Sequence, residues 1–386
     1  MSWEKTKIGD HCEITSSKRI FYSEYTDSGV PFYRSKEIIE SSQGQPISEP
    51  LYISTDKYND IKSKFGVPLP GDMLLTSVGT IGIPYIVRTD DYFYFKDGNL
   101  TWFRNFDDSL SSKFLCYWIG SKDGYGVLNN TTIGSSQKAL TISSLKQIEC
   151  PLPPIEVQNR IVDILSAYDA LIENNQKQIK LLEEVAQRLY KEWFVDLRFP
   201  GYEDTPIVDG VPEGWERLPV GELIEKIPRT TQIMASEYGK EGPIPIIDQS
   251  REFIAGYTDN HASLVNVGKP VIVFGDHTRI LKYIQFPFAK GADGTQLIVS
   301  NTDRMPQSLF YCSLVGVDLS NYHYARHFKY LKAEELLVPT QVIAEAFDRF
   351  VSPMFSKIQR LRDINKAATN ARDRLLPKLM SGEIEI

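Results

Sequence analysis

At 386 residues, the chain is long enough for two or three domains that each bury their own core. Its composition, 42% hydrophobic and 24% charged, is that of an ordinary soluble protein, with no apolar run of about 18 residues and no signal-peptide pattern behind Met1. The net charge of −7, spread evenly, would argue against a nucleic-acid partner. However, residues 155–214 alone hold six Lys and Arg against twelve Asp and Glu, so the acidic excess is concentrated in that segment.

The first part of the chain reads as a β-rich domain. Residues 1–154 contain short β-branched and aromatic runs separated by Gly, Asp, Asn and Pro, which is typical of strands and turns. They lack the alternation of strand and long helix that marks a doubly wound sheet. The stretch ends at the proline-rich sequence ECPLPP. We therefore predict a β-rich domain over residues 1–154.

A long helix is predicted next, over residues 155–196. Its seam positions alternate at spacings of four and three, which is the seam of a coiled coil and more than a single amphipathic face. The alternative, that this helix packs only on its own domain, stays open. The seam consists of Ile161, Leu165, Tyr168, Ile172, Asn175, Ile179, Leu182, Ala186, Leu189 and Trp193.

We predict that residues 197–214, an acidic stretch rich in Pro and Gly, form a linker. After this linker the chain repeats its N-terminal sequence. SWEKTKIGD near the N-terminus returns as GWERLPVGE, with Trp3 matched to Trp215. The match continues, and later in the chain its offset is smaller, so the second copy has shorter loops. We predict a second β-rich domain over residues 215–340. Further matched positions are Phe32 with Ile246, Gly71 with Gly268, and Asp97-Gly98 with Asp293-Gly294.

A second long helix is predicted over residues 341–386, with a seam that lies 186 positions after the first one throughout. If the two helices run antiparallel, Asn365 falls opposite Asn175, whereas a parallel pair would leave both amides against hydrocarbon. An unpaired buried amide costs about 1–3 kcal/mol, and paired amides specify the register. We therefore predict an α+β fold in which the helices form an antiparallel coiled coil with pseudo-twofold symmetry.

This arrangement would hold two unlike β-rich domains at opposite ends of a rigid rod. Two major grooves one helical turn apart on DNA are separated by about 34–36 Å, a spacing that such a rod can match. One chain with two different domains would then recognise an asymmetric, interrupted target. Spacing alone leaves open a ruler that separates two peptide-binding modules.

Three stretches stand out in the order of the blocks: the helix LPPIEVQNRIVDIL…LIENNQKQIKLLEEVAQRLYKEWF, the second block opening VPEGWERLPVGEL, and the helix end RDRLLPKLMSGEI. In this order and in these stretches, the whole chain resembles the specificity subunit of type I restriction–modification enzymes. The helix ends LYKEWF and LLPKLMSGE are the most specific elements of the resemblance. The second helix, with NKAATNARD where a regular Leu/Glu-rich seam is expected, is the weaker match.

The resemblance implies a non-catalytic subunit whose two target recognition domains each recognise one half of a bipartite DNA target. Its helices would set the spacer between the half-sites. They would also dock two modification (methyltransferase) subunits of a site-specific adenine methyltransferase. Up to two restriction subunits can join this complex to form an ATP-dependent deoxyribonuclease. S-adenosylmethionine would bind the modification subunits, ATP and Mg²⁺ would bind the restriction subunits, and this chain would hold no cofactor. A helical ruler or scaffold without DNA recognition is the alternative, and a single-chain enzyme is another.

The chain itself shows no catalytic or metal motif. It lacks NPPY, DPPY and HExxH, and the nearest phosphate-loop match, VGKP at 267–270, has Pro270 where Ser or Thr is needed. His323 and His327 have the spacing of a two-His metal site, but no third ligand is evident nearby. Four scattered cysteines without a CxxC pair suit a reducing cytoplasm, where we expect the protein to act.

The candidate DNA contacts are polar and basic residues of the predicted loops, since these side chains reach base edges and phosphates. Any one of them is also explained as a solvated turn residue. In the first domain they are Lys18, Arg19, Arg34, Lys36, Asn129, Asn130, Gln137 and Lys138; in the second they are Arg229, Thr231, Gln232, Gln249, Arg251, His277, Arg279, His323, Arg326, His327 and Lys329.

The apolar end of the first helix is the candidate docking face for a partner. Trp193 and Phe194, with Leu197 and Phe199 after them, are unusually apolar for the tip of a rod. If exposed, they would mark a site for a methyltransferase subunit. The alternative is that they belong to the core under the neighbouring domain.

Overall fold

The computed structural model describes residues 3–45, 47–134, 138–291, 293–321 and 326–385. The chain forms two compact units, Met1–Asn174 with Ile364–Ile386, and Asn175–Asp363. Each unit therefore includes one β-rich block together with one half of each long helix. No helix within the described ranges combines the length and the apolar character that a membrane span requires.

The first unit contains short strands and short helices ahead of the first long helix. The strands are β1 Lys5–Lys7, β2 Glu13–Thr15, β3 Tyr25–Thr26, β4 Val30–Tyr33, β5 Tyr52–Ile53, β6 Met73–Thr76, β7 Pro84–Ile86, β8 Tyr94–Phe95, β9 Leu100–Arg104 and β10 Glu149–Pro151. The helices are α1 Ser35–Ser42, α2 Thr55–Phe65, α3 Ser112–Gly120, α4 Lys122–Thr131 and α5 Ile142–Lys146.

Three sheets organise these strands. β1 pairs antiparallel with β10, β2-β9-β6-β7 form an antiparallel sheet, and β3-β5-β4-β8 form a mixed sheet in which β4 and β8 run parallel. The core lies between the antiparallel sheet and α3, where Phe103 and Phe114 are fully buried. The α3 helix begins at Ser111, whose hydroxyl accepts a hydrogen bond from the Phe114 amide.

The first long helix, α6, spans Ile155–Tyr190 and continues as a π-helical turn, Lys191–Val195. The second unit follows with β11 Ile207–Val208, β12 Val211–Pro212, β13 Glu216–Pro219, β14 Ile244–Ile247, β15 Gly256–Thr258, β16 Leu264–Val265, β17 Val271–Gly275, β18 Leu281–Ile284, β19 Phe288–Lys290, β20 Thr295–Ile298 and β21 Glu335–Val338. Its helices are α7 Gln307–Val315 and α8 His327–Leu331, and the second long helix, α9, spans Gln341–Ser381.

The strand pairing of the second unit repeats that of the first. β13 pairs with β21 as β1 pairs with β10, and β18-β17-β20 repeat the order β7-β6-β9. The parallel pair also recurs, with Phe32 opposite Tyr94 in β4–β8 and Ile246 opposite Ala289 in β14–β19. The turns before β9 and β20 both use a glycine with positive φ, Gly98 at 77° and Gly294 at 84°. The predicted internal repeat is therefore confirmed in topology.

The long helices run antiparallel within each unit. In the first unit, Asp169 of α6 bonds Arg372 of α9 at 2.6 Å, and the Asn365 amide donates to the Ile172 carbonyl at 3.5 Å. In the second unit, Glu183 bonds Arg362 at 2.9 Å. Further along α6 the ring of Trp193 packs 5.9 Å from that of Phe347, which lies earlier in α9. In both units, later residues of α6 meet earlier residues of α9.

The predicted register residues lie inside these helices. Asn175 is buried, with 3% of its surface exposed, and Asn365 is half-buried. Their pairing with each other stays a prediction. The predicted linker, residues 197–214, carries the hairpin β11–β12 and the fully packed side chain of Phe199.

Candidate nucleic-acid interface

Three loops of the first unit are joined at one edge by hydrogen bonds to a single carbonyl group. The Ser77 amide, just after β6, donates to the Asn99 carbonyl at 2.8 Å, and the Ser35 hydroxyl, just after β4, donates to the same oxygen at 3.5 Å. Asn99 itself lies just before β9. We call residues 34–36, 77–79 and 97–99 the first loop edge.

The second unit has an equivalent edge, built from the corresponding loops. The Gln249 side chain, after β14, donates to the Asp293 carbonyl at 2.8 Å, and the Asp276 amide, after β17, donates to the Gly294 carbonyl at 2.7 Å. Asp293 and Gly294 lie just before β20. We call residues 248–249, 276–279 and 293–294 the second loop edge. The two units thus present the same loops with different side chains.

Cations at the first loop edge are paired with carboxylates. Arg34 donates from its guanidinium to the fully buried Glu37, and this bond raises the pKa of Arg34. If Arg34 turned to a ligand, the buried Glu37 carboxylate would lose its ion-pair partner. Arg34 is therefore better suited to shaping the loop than to binding a ligand. Arg19 pairs with Asp97 at 2.9 Å and Lys36 pairs with Glu49 at 2.9 Å. These exposed pairs contribute little to stability, so both cations can exchange partners.

The stretch that carries Asn129, Asn130 and Lys138 was predicted to be a loop, and this is partly wrong. Both asparagines lie in the last turn of α4, where Asn129 is half-buried and Asn130 is exposed. Lys138 is exposed and precedes Ala139, which forms a β-bridge with Val78 of the first loop edge. Gln137 lies outside the described residues.

At the second loop edge, Gln249 organises the loop that carries other candidates. Its amide oxygen accepts from the His277 backbone at 3.1 Å, and its carbonyl accepts from the Thr278 hydroxyl at 2.7 Å. The His277 side chain is exposed. Arg279 is exposed, has a φ of 61° and donates to the Leu319 carbonyl at 3.1 Å. Gln232 joins the same edge through a 3.5 Å bond to the Asp293 carboxylate.

The prediction that His327 contacts DNA is wrong, because its side chain is buried with 6% of its surface exposed. Its Nδ1 bonds the Asp276 carbonyl at 2.8 Å, so this nitrogen carries the proton. The Asp276 carboxylate in turn accepts from the Phe328 amide at 2.8 Å and fixes the start of α8. Arg326 and Lys329 beside it are exposed. His323 lies outside the described residues.

The remaining candidates of the second unit are Arg229, Thr231 and Arg251, all exposed. Thr231 is tied into the fold through its backbone amide, which donates to the Ala262 carbonyl at 3.1 Å. Its side chain is therefore presented from a fixed position. In the part of the chain that the structure describes, no three His, Cys, Asp or Glu side chains lie close enough together to hold a metal ion.

The structure also overturns the predicted docking role of Trp193 and Phe194. They are only 7% and 6% exposed and belong to the core of the second unit. The Phe194 ring lies 5.1 Å from Phe347 and 5.5 Å from Trp215, and Phe199 lies 4.6 Å from Trp215. These aromatic side chains hold the end of α6 against β13 and α9. The alternative core role is the observed one.

Sequence reasoning missed the groups that tie each edge together. Asn99, Asp293 and Gly294 act through their backbone carbonyls, and Ser77 and Asp276 through their backbone amides. A backbone group leaves no side-chain signature in a sequence. The only available signal was the repeated Asp-Gly pair, which marks the turn before β9 and before β20.

Comparisons with known proteins show which family this chain is similar to. The family model for the type I restriction modification DNA specificity domain matches residues 1–184. The type I restriction enzyme MjaIX specificity subunit of Methanocaldococcus jannaschii is 26% identical over 423 residues, which cover 100% of this chain and 94% of that protein. A putative type I specificity subunit of Haemophilus influenzae, S.HindORF215P, is 29% identical over 186 residues, covering 48% of this chain and 45% of that protein.

A solved structure has the same fold over nearly the whole length. The S subunit of a type I restriction–modification system from M. genitalium superposes with a TM-score of 0.62 at 16% identity. The superposition covers 98% of this chain and 96% of that one.

Proposed function

This chain belongs to the family of type I restriction–modification specificity subunits, and from that premise we propose that each of its loop edges recognises one half of an asymmetric, bipartite DNA target. The chain is a targeting subunit. The observation that carries the proposal is the pair of equivalent edges with unlike side chains. Equal scaffolds with different polar groups suit recognition of two different half-sites.

The proposed recognition domains are residues 1–154 and 215–340. The helical segments 155–196 and 341–386 would separate them, with residues 197–214 as the connection. Within each unit an ion pair joins the two antiparallel helices, Asp169 with Arg372 in the first and Glu183 with Arg362 in the second. We propose that they set the length of the spacer between the half-sites and dock two modification subunits.

The enzymatic activities belong to the partners in this proposal. The modification subunits would bind S-adenosylmethionine and methylate adenine, and restriction subunits, where present, would use ATP and Mg²⁺ to translocate and cut DNA. The complex would act in the cytoplasm, on double-stranded DNA. This chain would contribute the choice of sequence.

The DNA contacts that we propose are the polar and basic candidates whose side chains are exposed. Exposed cations can bind phosphates, and the exposed imidazole and guanidinium groups can donate to base edges in the major groove. In the first unit they are Lys18, Arg19, Lys36, Asn130 and Lys138; in the second they are Arg229, Thr231, Arg251, His277, Arg279, Arg326 and Lys329.

Mapping of methylated positions tests this proposal. In the host, removal of the gene for this chain should abolish methylation at one bipartite motif, and its return should restore that motif. In the purified complex, His277→Ala should relax the choice of base at one or two positions of one half-site, by about 1–3 kcal/mol. His261→Ala is the matched control, since His261 is exposed in the same unit but lies outside the second loop edge.

Methylation of the same motif without this chain would contradict the proposal. Methylation without sequence preference in its presence would instead favour a scaffold that only holds the modification subunits.

A further inference from the structure

The first unit contains a cavity of about 270 Å³. Its walls come from the segment after β2, the end of β9 and the C-terminal turn of α2. The lining residues that matter here are Ser16, Lys18, Lys64, Phe65, Trp102 and Arg104. We call this cavity the basic pocket. Of its residues, only Lys18 was a candidate from the sequence.

The basic pocket has three cations and no carboxylate among its lining residues. Two of the cations are held from outside the pocket, Lys64 by Asp60 at 2.5 Å and Arg104 by Glu13 at 2.8 Å. Among the described residues, no carboxylate lies within ion-pair distance of the Lys18 ammonium group. Its charge is therefore available to a ligand, and the ligand it favours is an anion.

Aromatic rings fix the cations at the wall of the pocket. The Lys18 ammonium lies 4.5 Å from the centre of the Phe65 ring, and the Arg104 guanidinium lies 4.4 Å from the Trp102 ring. The Trp102 indole is itself held by a 2.8 Å bond to Asp72. These contacts restrict the two cations before any ligand arrives, which lowers the entropy cost of binding.

Two further features leave room and a donor for an oxyanion. The Ser16 hydroxyl oxygen is buried and has no hydrogen-bond partner among the described residues. Gly66 has a φ of +82°, and a Cβ at this position would lie 3.3 Å from the Arg104 guanidinium. A side chain there would crowd the cation that faces the pocket. The hydroxyl, the ammonium and the guanidinium are the groups that proteins use to bind phosphate oxygens.

We propose that the basic pocket binds a phosphate group of a nucleotide, and specifically a backbone phosphate of the DNA that the first loop edge recognises. This inference rests on the proposed function and adds a site to it. Arg19 connects the two places, since it follows Lys18 in the chain and pairs with Asp97 of the first loop edge. A phosphate held in this pocket would position the DNA against that edge without recognising its sequence.

The test measures DNA affinity of the complex formed by the full chain and its modification subunits, as a function of salt concentration, with target and scrambled duplexes. For Lys18→Ala we expect the slope of log K against log salt to fall by about 0.9, because one fewer counterion is released. At about 0.1 M salt this corresponds to a roughly eightfold loss of affinity, equal for both duplexes. Lys18→Arg should keep the slope.

Lys62→Ala is the matched control, because Lys62 is an exposed lysine of the same helix as Lys64 and does not line the pocket. An unchanged salt slope for Lys18→Ala overturns the inference, and so does an affinity loss confined to the target duplex, which would indicate a base contact. Calorimetric titration with inorganic phosphate and with deoxynucleoside monophosphates separates the two sources of the phosphate. Tight binding of the free nucleotide, with an unchanged DNA slope, contradicts the DNA assignment.

The two proposals fail in different ways. If the wild-type complex prefers its target duplex while Lys18→Ala binds like wild type, only the basic pocket is refuted. If the wild-type complex shows no preference for any duplex, the proposed function is refuted.

Discussion

The packing of α9 in the second unit predicts opposite outcomes for two phenylalanines that lie three positions apart. Phe347 is fully buried, with its ring 5.9 Å from Trp193 and 5.1 Å from Phe194. Phe350 is 58% exposed, and its ring centre lies 6.2 Å from that of Trp193 in an edge-to-face arrangement. The substitutions Phe347→Ala and Phe350→Ala remove the same atoms from one helix, so their difference measures burial alone.

The expected magnitudes follow from that burial. Truncation of a fully buried Phe costs about 3–5 kcal/mol, since the transfer free energy of the ring is lost and a cavity remains. Truncation of the exposed Phe350 should cost about 1 kcal/mol or less. With a denaturant slope of about 2 kcal/mol per M of urea, Phe347→Ala should lower the unfolding midpoint of this unit by about 2 M.

Urea unfolding followed by far-UV circular dichroism provides the measurement. The reasoning would be refuted if the two variants lost equal stability, or if Phe350→Ala were the more damaging one. Either result would mean that α9 turns a different face toward α6 and Trp193.

Three further predictions follow from the interior and from the ion pairs. Burial raises the pKa of all four cysteine thiols to about 12. Iodoacetamide at pH 8 should therefore label the native chain roughly a thousandfold more slowly than the unfolded chain, as measured by mass spectrometry. Rapid labelling of any native cysteine would contradict this. The hydrogen bond from Arg104 lowers the pKa of Glu13, so the stability that this pair contributes is present above the ordinary carboxyl pKa and is lost as the pH falls through the lowered value. The stability difference between wild type and Glu13→Gln in urea unfolding should therefore shrink from pH 7 toward pH 3, and a difference that grows at acid pH would be the opposite result. Asp276→Ala should cost about 1 kcal/mol of local stability, because the Phe328 amide loses its hydrogen-bond acceptor. Hydrogen exchange of the backbone amides of residues 327–331 should become roughly fivefold faster. Unchanged protection of these amides would mean that the carboxylate does not hold α8.

The repeat and the direction of the helices were predictable because they follow from periodic patterns. Apolar residues at alternating spacings of four and three are typical of long helices that pack along a coiled-coil seam. The one amide in each seam, Asn175 and Asn365, favours the antiparallel pairing. Ion pairs and ring contacts confirm that direction inside each unit. The Asp-Gly pairs matched in the sequence lie in equivalent turns, since a left-handed residue is needed at the same point of both sheets.

The misses share one physical cause, which is a partner distant in sequence. An apolar helix end looks the same whether its cover is another subunit or the same chain, and here Trp193 and Phe194 are covered by Trp215 and Phe347. His327 lies in a basic, aromatic stretch that suggested a surface, but Asp276 holds it inside.

Asn129 and Asn130 show the limit of local propensity. Residues 129–134 are rich in turn-forming residues, yet α4 continues through Thr131. Ser121 caps its start at 3.2 Å from the Gly124 amide, and Leu128 anchors it in the core with 1% of its surface exposed. The burial of Leu128 and the cap at Ser121 together outweigh the weak helix propensity of the two asparagines.

The account depends most on the independence of the two recognition domains that we propose. Its most direct test replaces residues 215–340 with the corresponding block of a relative that has a different target, and maps the methylated motif of the resulting complex by sequencing. The account predicts a motif in which one half changes to that of the donor and the other half is retained. A motif unchanged by the exchange, or altered in both halves, would contradict it.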